Sequence, residues 1–341
     1  MTDALEAVGL SKVFSSRIGP FGLMGRRDVR AVDDVSFRVP RGNTLCLVGE
    51  SGCGKTTIGR MVVRLTTPTE GSVLVEGEDF SSLSGEALRR RRQRVQMVFQ
   101  DPFACLNARM TASRIVEEPL VNFGIGDAAA RAARVSRLFD QVGLPRHFRQ
   151  RLPHHLSGGQ RQRLGIARAL AAQPAIIVAD EAVAALDVSI RSQVLNLLGD
   201  IQQETGVAYL FISHDLSVVR YLADEIAVMY LGTIVEQAPA AALFARPGHP
   251  YTRALMDSVP AVHPSGRRRR AALEGEVPSA AALPSGCRFR TRCPHATAFC
   301  AESPPPLRLL AEGHRVACHH AEELLRRLNP PAEAGGREII E

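Results

Sequence analysis

The sequence predicts an α/β fold built on a mostly parallel sheet. Three observations carry that expectation. Short apolar runs recur at 45–48, 175–179 and 207–213, each of strand length and too apolar to present one face to water. Helical patterns separate them, as at 188–204, where Ile190, Val194, Leu197, Leu198 and Ile201 share one face. The first run also leads through a glycine-rich loop into a segment, Ile58–Val63, that can open a helix. Strands alternating with helices are the pattern of a parallel sheet with crossover connections.

The elements follow in order. Residues 31–48 alternate apolar and polar positions, broken by a Pro-Arg-Gly-Asn turn before the strand at 45–48. Residues 71–76 read as a strand ended by Gly77, 86–94 as a short basic helix, and 95–99 as another strand. From about 101 to 155 the pattern is helical and rich in Ala, Arg and Leu. The strands at 175–179 and 207–213 then flank the helix at 188–204. Composition shifts after residue 258: residues 259–286 carry the Pro, Ala, Ser, Gly and Arg of a linker, and a cysteine cluster lies beyond. A chain of 341 residues has room for two or three domains.

Composition narrows the function classes. Hydrophobic residues are 45% and charged residues 23%, as in ordinary globular proteins. Tryptophan is absent and aromatics are 5%, which argues against stacking platforms for single-stranded nucleic acid. The net charge of +7 includes two arginine runs, Arg89–Arg92 and Arg267–Arg270. These read as solvated faces, or as basic patches drawn to anionic lipid headgroups. No nucleic-acid recognition motif accompanies them. No run approaches the ~18 apolar residues of a membrane span. The N-terminal Met-Thr-Asp-Ala-Leu-Glu lacks the basic and apolar regions of a secretory signal, so a cytoplasmic location is expected.

The loop at 49–57 reads Gly49-Glu50-Ser51-Gly52-Cys53-Gly54-Lys55-Thr56-Thr57. Glycine, four residues, then Gly-Lys-Thr between a strand and a helix is the phosphate-binding pattern. Its glycines let successive backbone N–H groups converge on phosphate oxygens, and the helix N-terminus adds partial positive charge. Lys55 is expected to bridge the β- and γ-phosphates and the Thr56 hydroxyl to ligate Mg²⁺, which makes a nucleoside triphosphate the ligand. The strand at 175–179 ends in Asp180 and Glu181. Asp180 is expected at Mg²⁺, and Glu181 as the group that polarises the attacking water. A strand ending in surface acids is the plainer alternative. Leu156-Ser157-Gly158-Gly159-Gln160-Arg161-Gln162-Arg163 adds a second cradle: Ser157 can cap the helix running through Leu164, Ala167 and Leu170, and two glycines expose N–H groups at its start. One nucleotide has a single γ-phosphate, so a second cradle needs an explanation.

With these segments the chain resembles the ATP-binding subunits of ATP-binding cassette (ABC) transporters, and 156–163 matches the family signature. The resemblance implies ATP as the nucleotide and a P-loop NTPase (RecA-like) core, with an antiparallel β-subdomain and an inserted helical subdomain at about 101–155. It also implies a head-to-tail dimer in which the signature of one subunit closes over ATP held by the other. Residue by residue, Gln100 matches the glutamine that senses Mg²⁺ and the γ-phosphate, and His214 the switch histidine. Asp187 matches the loop that links the two sites, and could also cap the helix at 188–204. Phe14 matches an aromatic that stacks on adenine, although residues 15–30 form an insertion that shifts the spacing. Two positions depart from the family pattern. Ala182 stands where proline usually follows the catalytic glutamate, and Ala108 where related chains often carry proline. Neither change removes a catalytic group.

The C-terminal part narrows the resemblance. Arg246–Met256 is similar to the His-Pro-Tyr segment of peptide-importer ATPases, and residues 259–330 to the extension of the dipeptide/oligopeptide/nickel permease group. Residues 106–120 resemble the second, F-type, ATPase of such systems. The implied organisation is a nucleotide-binding domain at 1–258, a linker and Cys-rich extension at 259–330, and a tail at 331–341. Four of the seven cysteines, Cys287, Cys293, Cys300 and Cys318, fall in the extension, with gaps of five, six and seventeen residues. A cytoplasmic setting disfavours disulfides. The absence of a tight pair favours a [4Fe–4S] cluster over zinc, as the resemblance also suggests, and plain reduced thiols are the third reading. The implied partners are two transmembrane permease subunits, a second ATPase subunit and an extracytoplasmic substrate-binding protein, with the chain peripheral on the cytoplasmic face of the membrane. Dipeptides or oligopeptides are the expected cargo, with nickel or glutathione import as the alternative and a soluble non-transport ABC ATPase as the more distant one.

Overall fold

The computed structural model describes residues 3–17, 26–101, 105–257 and 275–328. The strands are β1 (Leu5–Arg17), β2 (Arg26–Val39), β3 (Thr44–Val48), β4 (Glu70–Val75), β5 (Glu78–Asp79), β6 (Val95–Val98), β7 (Ile176–Asp180), β8 (Ala208–Ser213), β9 (Glu225–Tyr230), β10 (Thr233–Pro239), β11 (Arg308–Ala311) and β12 (His314–Val316). The helices are α1 (Lys55–Val62), α2 (Gly85–Arg91), α3 (Ala112–Asn122), α4 (Ala128–Gln141), α5 (Gly158–Ala171), α6 (Val188–Thr205), α7 (Leu216–Leu222), α8 (Ala240–Ala245), α9 (Pro250–Asp257), α10 (Phe299–Glu302) and α11 (Ala321–Leu328).

The apolar runs become the centre of an eight-stranded sheet of order β11-β12-β10-β9-β3-β8-β7-β6. Strands β9, β3, β8, β7 and β6 run parallel to one another, and β10, β12 and β11 extend the sheet antiparallel. Alternate side chains feed two cores, as the two-residue period of a strand requires. Cys46, Val48, Ile177, Ala179, Tyr209 and Phe211 face one core, which α3, α4, α5 and α6 complete through Ile115, Leu120, Leu138, Phe139, Leu164 and Val194. Leu45, Leu47, Ile176, Val178, Leu210 and Ile212 face the other, which α1 fills with Ile58, Met61 and Val62. That second core is roofed by an antiparallel sheet of order β2-β1-β4-β5, through Leu5, Leu10, Val35, Phe37, Val73 and Val75. Burial of the sheet on both faces explains why its strands read as unbroken apolar runs.

Register aligns the strand ends. Val48 pairs with Ser213, Asp180 with Ile212, and Val98 with Ala179. The loops leaving β3, β6, β7 and β8 therefore emerge along one rim, where ligands of parallel α/β sheets sit.

Several expectations change in detail. Among the described residues, the helical stretch at 101–155 contains α3 and α4, followed by 3₁₀ turns at Arg146–Gln150 and Pro153–His155. The basic helix unwinds into a 3₁₀ turn at Arg92–Arg94. Its arginines are engaged within the protein: Arg89 and Arg90 pair with Glu86, Arg91 with Glu78, and Arg92 donates to the Arg64 carbonyl. That favours the solvated-face reading over a lipid patch. Arg267–Arg270, most of the linker and the tail at 331–341 lie outside the described residues. The Cys-rich extension is joined to the main sheet rather than set apart. Its β12 pairs with β10 at Glu236↔Val316, and the buried Glu236 carboxylate receives the Gly248 and His249 N–H groups at 2.6 and 2.9 Å and His314 Nε2 at 2.7 Å.

Candidate active site

The phosphate loop leaves β3 with backbone that glycine alone accommodates. Gly49 has φ +150° and Gly54 φ +106°. A Cβ at either would stand 2.3 Å from a carbonyl oxygen, of Met229 and Ala31 respectively. Lys55, the first residue of α1, is buried and donates to the Gly49 and Glu50 carbonyls at 2.7 and 2.8 Å. Cys53 lies beneath it with Sγ 3.5 Å from the ammonium, and burial raises its thiol pKa. Ser51 and Gly52 are exposed at the mouth of the loop, with Thr57 half-buried one residue beyond Thr56.

Four strand ends meet beside it. Thr56 Oγ1 donates to Asp180 Oδ1 at 3.1 Å, which ties α1 to the end of β7. Burial raises the Asp180 pKa, and the adjacent Glu181 charge adds to the rise while Thr56 opposes it. These are the hard oxygen donors that Mg²⁺ takes together with substrate phosphates. Glu181 turns out of the strand with φ +48°, its N–H donating to the Ile212 carbonyl at 3.0 Å. A non-glycine residue there is strained, and such strain collects at functional sites. Both carboxylate oxygens are held: Oε2 accepts from Gln100 Nε2 at 2.8 Å, and Oε1 lies 3.0 Å from His214 Nδ1. Because a carboxylate only accepts, Nδ1 is the donor. Gln100 thus bonds Glu181 here rather than the Thr56–Asp180 pair.

The second cradle opens α5. Gln160 N–H donates to Ser157 Oγ at 3.3 Å and the Gln160 side chain accepts from the Ser157 N–H at 2.9 Å, a complete capping box. Gly159 lets α5 approach α6, since a Cβ there would lie 2.5 Å from Ile190 Cγ2. Gly158, with nothing nearer to such a Cβ than Leu186 at 3.9 Å, has no comparable crowding. Asp187 occupies the N-cap of α6, but its side chain makes no capping bond; its carbonyl accepts the Arg191 N–H at 2.8 Å. The capping role is therefore not the one its carboxylate plays. Phe14 lies on β1, 46% exposed, with Lys12 Nζ 5.2 Å from its ring centre.

Two residues of the site escaped the sequence reading. The Glu50 N–H donates to Tyr251 Oη at 2.9 Å, so this amide turns away from the cradle. The Glu50 carboxylate pairs with Arg292, 242 residues away. Tyr251 belongs to the His-Pro-Tyr segment noted above; Arg292 lies between Cys287 and Cys293 and carried no signal of its own. The four cysteines of the extension are free. Cys300 and Cys318 are buried, and burial pushes the Cys293 and Cys318 thiols up to about 11 and about 12, neighbouring thiols adding to the rise. Yet among the described residues no three His, Cys, Asp or Glu side chains stand where they could hold a metal ion. The expected [4Fe–4S] cluster is therefore unsupported. Cys287 and Cys293 are half-buried, and Cys300 Sγ lies 3.7 Å from His320 Nε2.

A phosphate loop and a strand-end Asp-Glu pair define a P-loop ATPase, and the same chain carries a second cradle at the start of α5. Comparison with known proteins agrees. Residues 32–184 match the ABC transporter family and residues 235–300 the oligopeptide/dipeptide transporter C-terminal region. The chain is 53% identical to the probable peptide ABC transporter ATP-binding protein y4tS of Sinorhizobium fredii, over 94% of this chain and 90% of that one. It is 50% identical to the oligopeptide transport ATP-binding protein AppF of Bacillus subtilis, over 92% and 96%. Identity to the dipeptide transport ATP-binding protein DppF of Haemophilus influenzae is 46%, over 94% and 98%. Among solved structures, the ATP-binding cassette MJ0796, in a dimeric post-hydrolysis state with ADP and Pi, superposes with a TM-score of 0.61 at 28% identity, covering 69% of this chain and 98% of that one. The chain belongs to the ATP-binding proteins of ABC transporters and is an ATPase of that class.

Proposed function

We propose that the chain is the ATP-hydrolysing subunit of a peptide importer and works in a head-to-tail dimer. The observation that carries the catalytic part is Glu181, poised at the end of β7 with one oxygen on Gln100 and the other on His214. In this reading Lys55 and the loop amides bind the triphosphate, and the Ser157–Gln160 cradle of a partner subunit closes over the γ-phosphate. Glu181 takes a proton from water as the water oxygen bonds to the γ-phosphorus. The bond to the β–γ bridging oxygen breaks, and its electron pair leaves with ADP. Gln100 and His214 then serve as sensors that pass from Glu181 to the phosphate as the site closes. Mg²⁺ would be held by Thr56 and Asp180 and would neutralise charge on the β- and γ-phosphates.

The peptide cargo rests on the relatives named above and on the extension shared with them. The helical region at 101–155, with Val121 54% exposed on α3, is the surface on which a helix of each permease subunit would dock. No described helix is long and apolar enough to cross a membrane. Uptake into vesicles that carry the chain with its permeases and binding protein tests the reading. ATP-dependent entry of a labelled dipeptide or oligopeptide, abolished by Glu181→Gln, supports it. Entry of nickel or glutathione in preference to peptide overturns the cargo, and peptide entry unaffected by Glu181→Gln overturns the catalytic assignment.

A further inference from the structure

The Glu50 carboxylate is an oddity of the phosphate loop: an acid in a loop built to receive an anion. It is matched by one partner from the far end of the chain. Arg292 Nη1 and Nη2 donate to Glu50 Oε2 and Oε1 at 2.7 and 3.0 Å, the parallel fork that gives arginine–carboxylate pairs their strength. The arginine side chain is 5% exposed. Its guanidinium lies 6.0 Å from the Tyr230 ring centre, beside a cluster in which Tyr251 packs tilted at 4.7 Å from Tyr230 and Phe289 edge-on at 5.3 Å. Tyr251 also fixes the Glu50 backbone through its hydroxyl. One residue of the loop is thus held by both the segment around α9 and the Cys-rich extension.

We propose that Arg292 is a positioning residue for nucleotide binding: by neutralising Glu50 it makes the ATP affinity of the phosphate loop depend on the docked Cys-rich extension. The inference rests on the ATPase reading above. The physical reason is charge. Glu50 shares the loop with Gly49 and Lys55, and its own carbonyl accepts from the Lys55 ammonium. Without Arg292 a carboxylate only 26% exposed would be left uncompensated in the loop that binds the triphosphate, and would compete for Lys55. A partner or modification that shifts the extension would then change ATP affinity without touching a residue at the phosphates.

Binding of a fluorescent N-methylanthraniloyl ATP to the full chain tests this. Arg292→Ala is expected to weaken binding about tenfold, or ~1.4 kcal/mol. Adding Glu50→Gln to it is expected to recover most of that loss, and the single Glu50→Gln variant closes the cycle. Rescue by removing the carboxylate is the outcome that simple loss of packing does not give. Unchanged affinity in Arg292→Ala, or a double variant as weak as Arg292→Ala, overturns the proposal. Where the alanine variant does not fold, Arg292→Gln keeps most of the stem against Tyr230 and carries the same expectations. A wild-type chain that fails to bind the nucleotide would instead overturn the ATPase reading.

Discussion

Replacing Glu181 with glutamine separates binding from chemistry most cleanly. The change keeps side-chain length and leaves Lys55, Thr56 and Asp180 untouched. The strained backbone at φ +48° is as tolerable to glutamine as to glutamate. The new amide keeps one oxygen, enough for the bond from Gln100 or that from His214, but its NH₂ cannot accept the other. The lost bond costs about 1 kcal/mol in folding, because the group is near the surface. The chemical loss is larger: an amide cannot take the water proton, and a positioned general base is worth ~10²–10⁴ in rate, or about 3–5 kcal/mol of barrier. Phosphate release in the steady state is therefore predicted to fall at least a hundredfold, while equilibrium binding of labelled ATP shifts by less than about threefold (~0.6 kcal/mol). A drop in turnover of less than tenfold would show that Glu181 is not the base. An equal loss in binding would show that it belongs to the nucleotide cradle instead.

Other outcomes follow from single contacts. Burial raises the Asp180 pKa above its unfolded value near 3.8, so the folded chain holds this proton more tightly than the unfolded one. Its contribution to stability is present below that unfolded value and is lost as pH rises through the raised pKa. Asp180→Asn, which keeps an acceptor for Thr56, should then melt above the wild type at pH 7 without nucleotide or Mg²⁺, the gap closing toward pH 4; coincident melting curves at pH 7 would contradict this. Gly54→Ala forces a Cβ to 2.3 Å from the Ala31 carbonyl oxygen at φ +106° and should cost at least about 2 kcal/mol, read as a melting point lower by several degrees together with lost ATP binding. Ala182→Pro supplies the residue expected from the family but moves no catalytic group, so turnover should stay within about twofold. A gain above tenfold would mean that the buried Ala182 loosens the Glu181 turn.

What the sequence disclosed was local. The loop at 49–57, the Asp180–Glu181 pair and the Ser157–Gln160 cap are each written in a few consecutive residues, and periodicity located the buried strands that carry them. Their neighbours Gln100 and His214 were picked out only by the family resemblance. The antiparallel sheet was harder, because β1 pairs with β2 through register shifts between Ala7 and Leu10 and again near Lys12, which break the two-residue alternation. Strand β12 could not be found from pattern at all: three residues long, it exists because β10 offers an edge. The same limit hid the Glu50–Arg292 pair, since no spacing rule joins residues on opposite sides of a linker. The cysteines show a different limit. Their spacing suggested a metal centre, but spacing does not fix where thiols point.

The central claim is that one chain holds only half of each ATP site. Specific ATPase activity of the isolated wild-type chain, measured across a wide range of protein concentration at saturating Mg²⁺-ATP, tests it directly. A composite site predicts that activity per chain rises with concentration or on addition of the second ATPase subunit, because only paired chains bring a Ser157–Gln160 cradle to the phosphate held by Lys55. Activity per chain that is full and constant down to the dilute monomer would contradict the account.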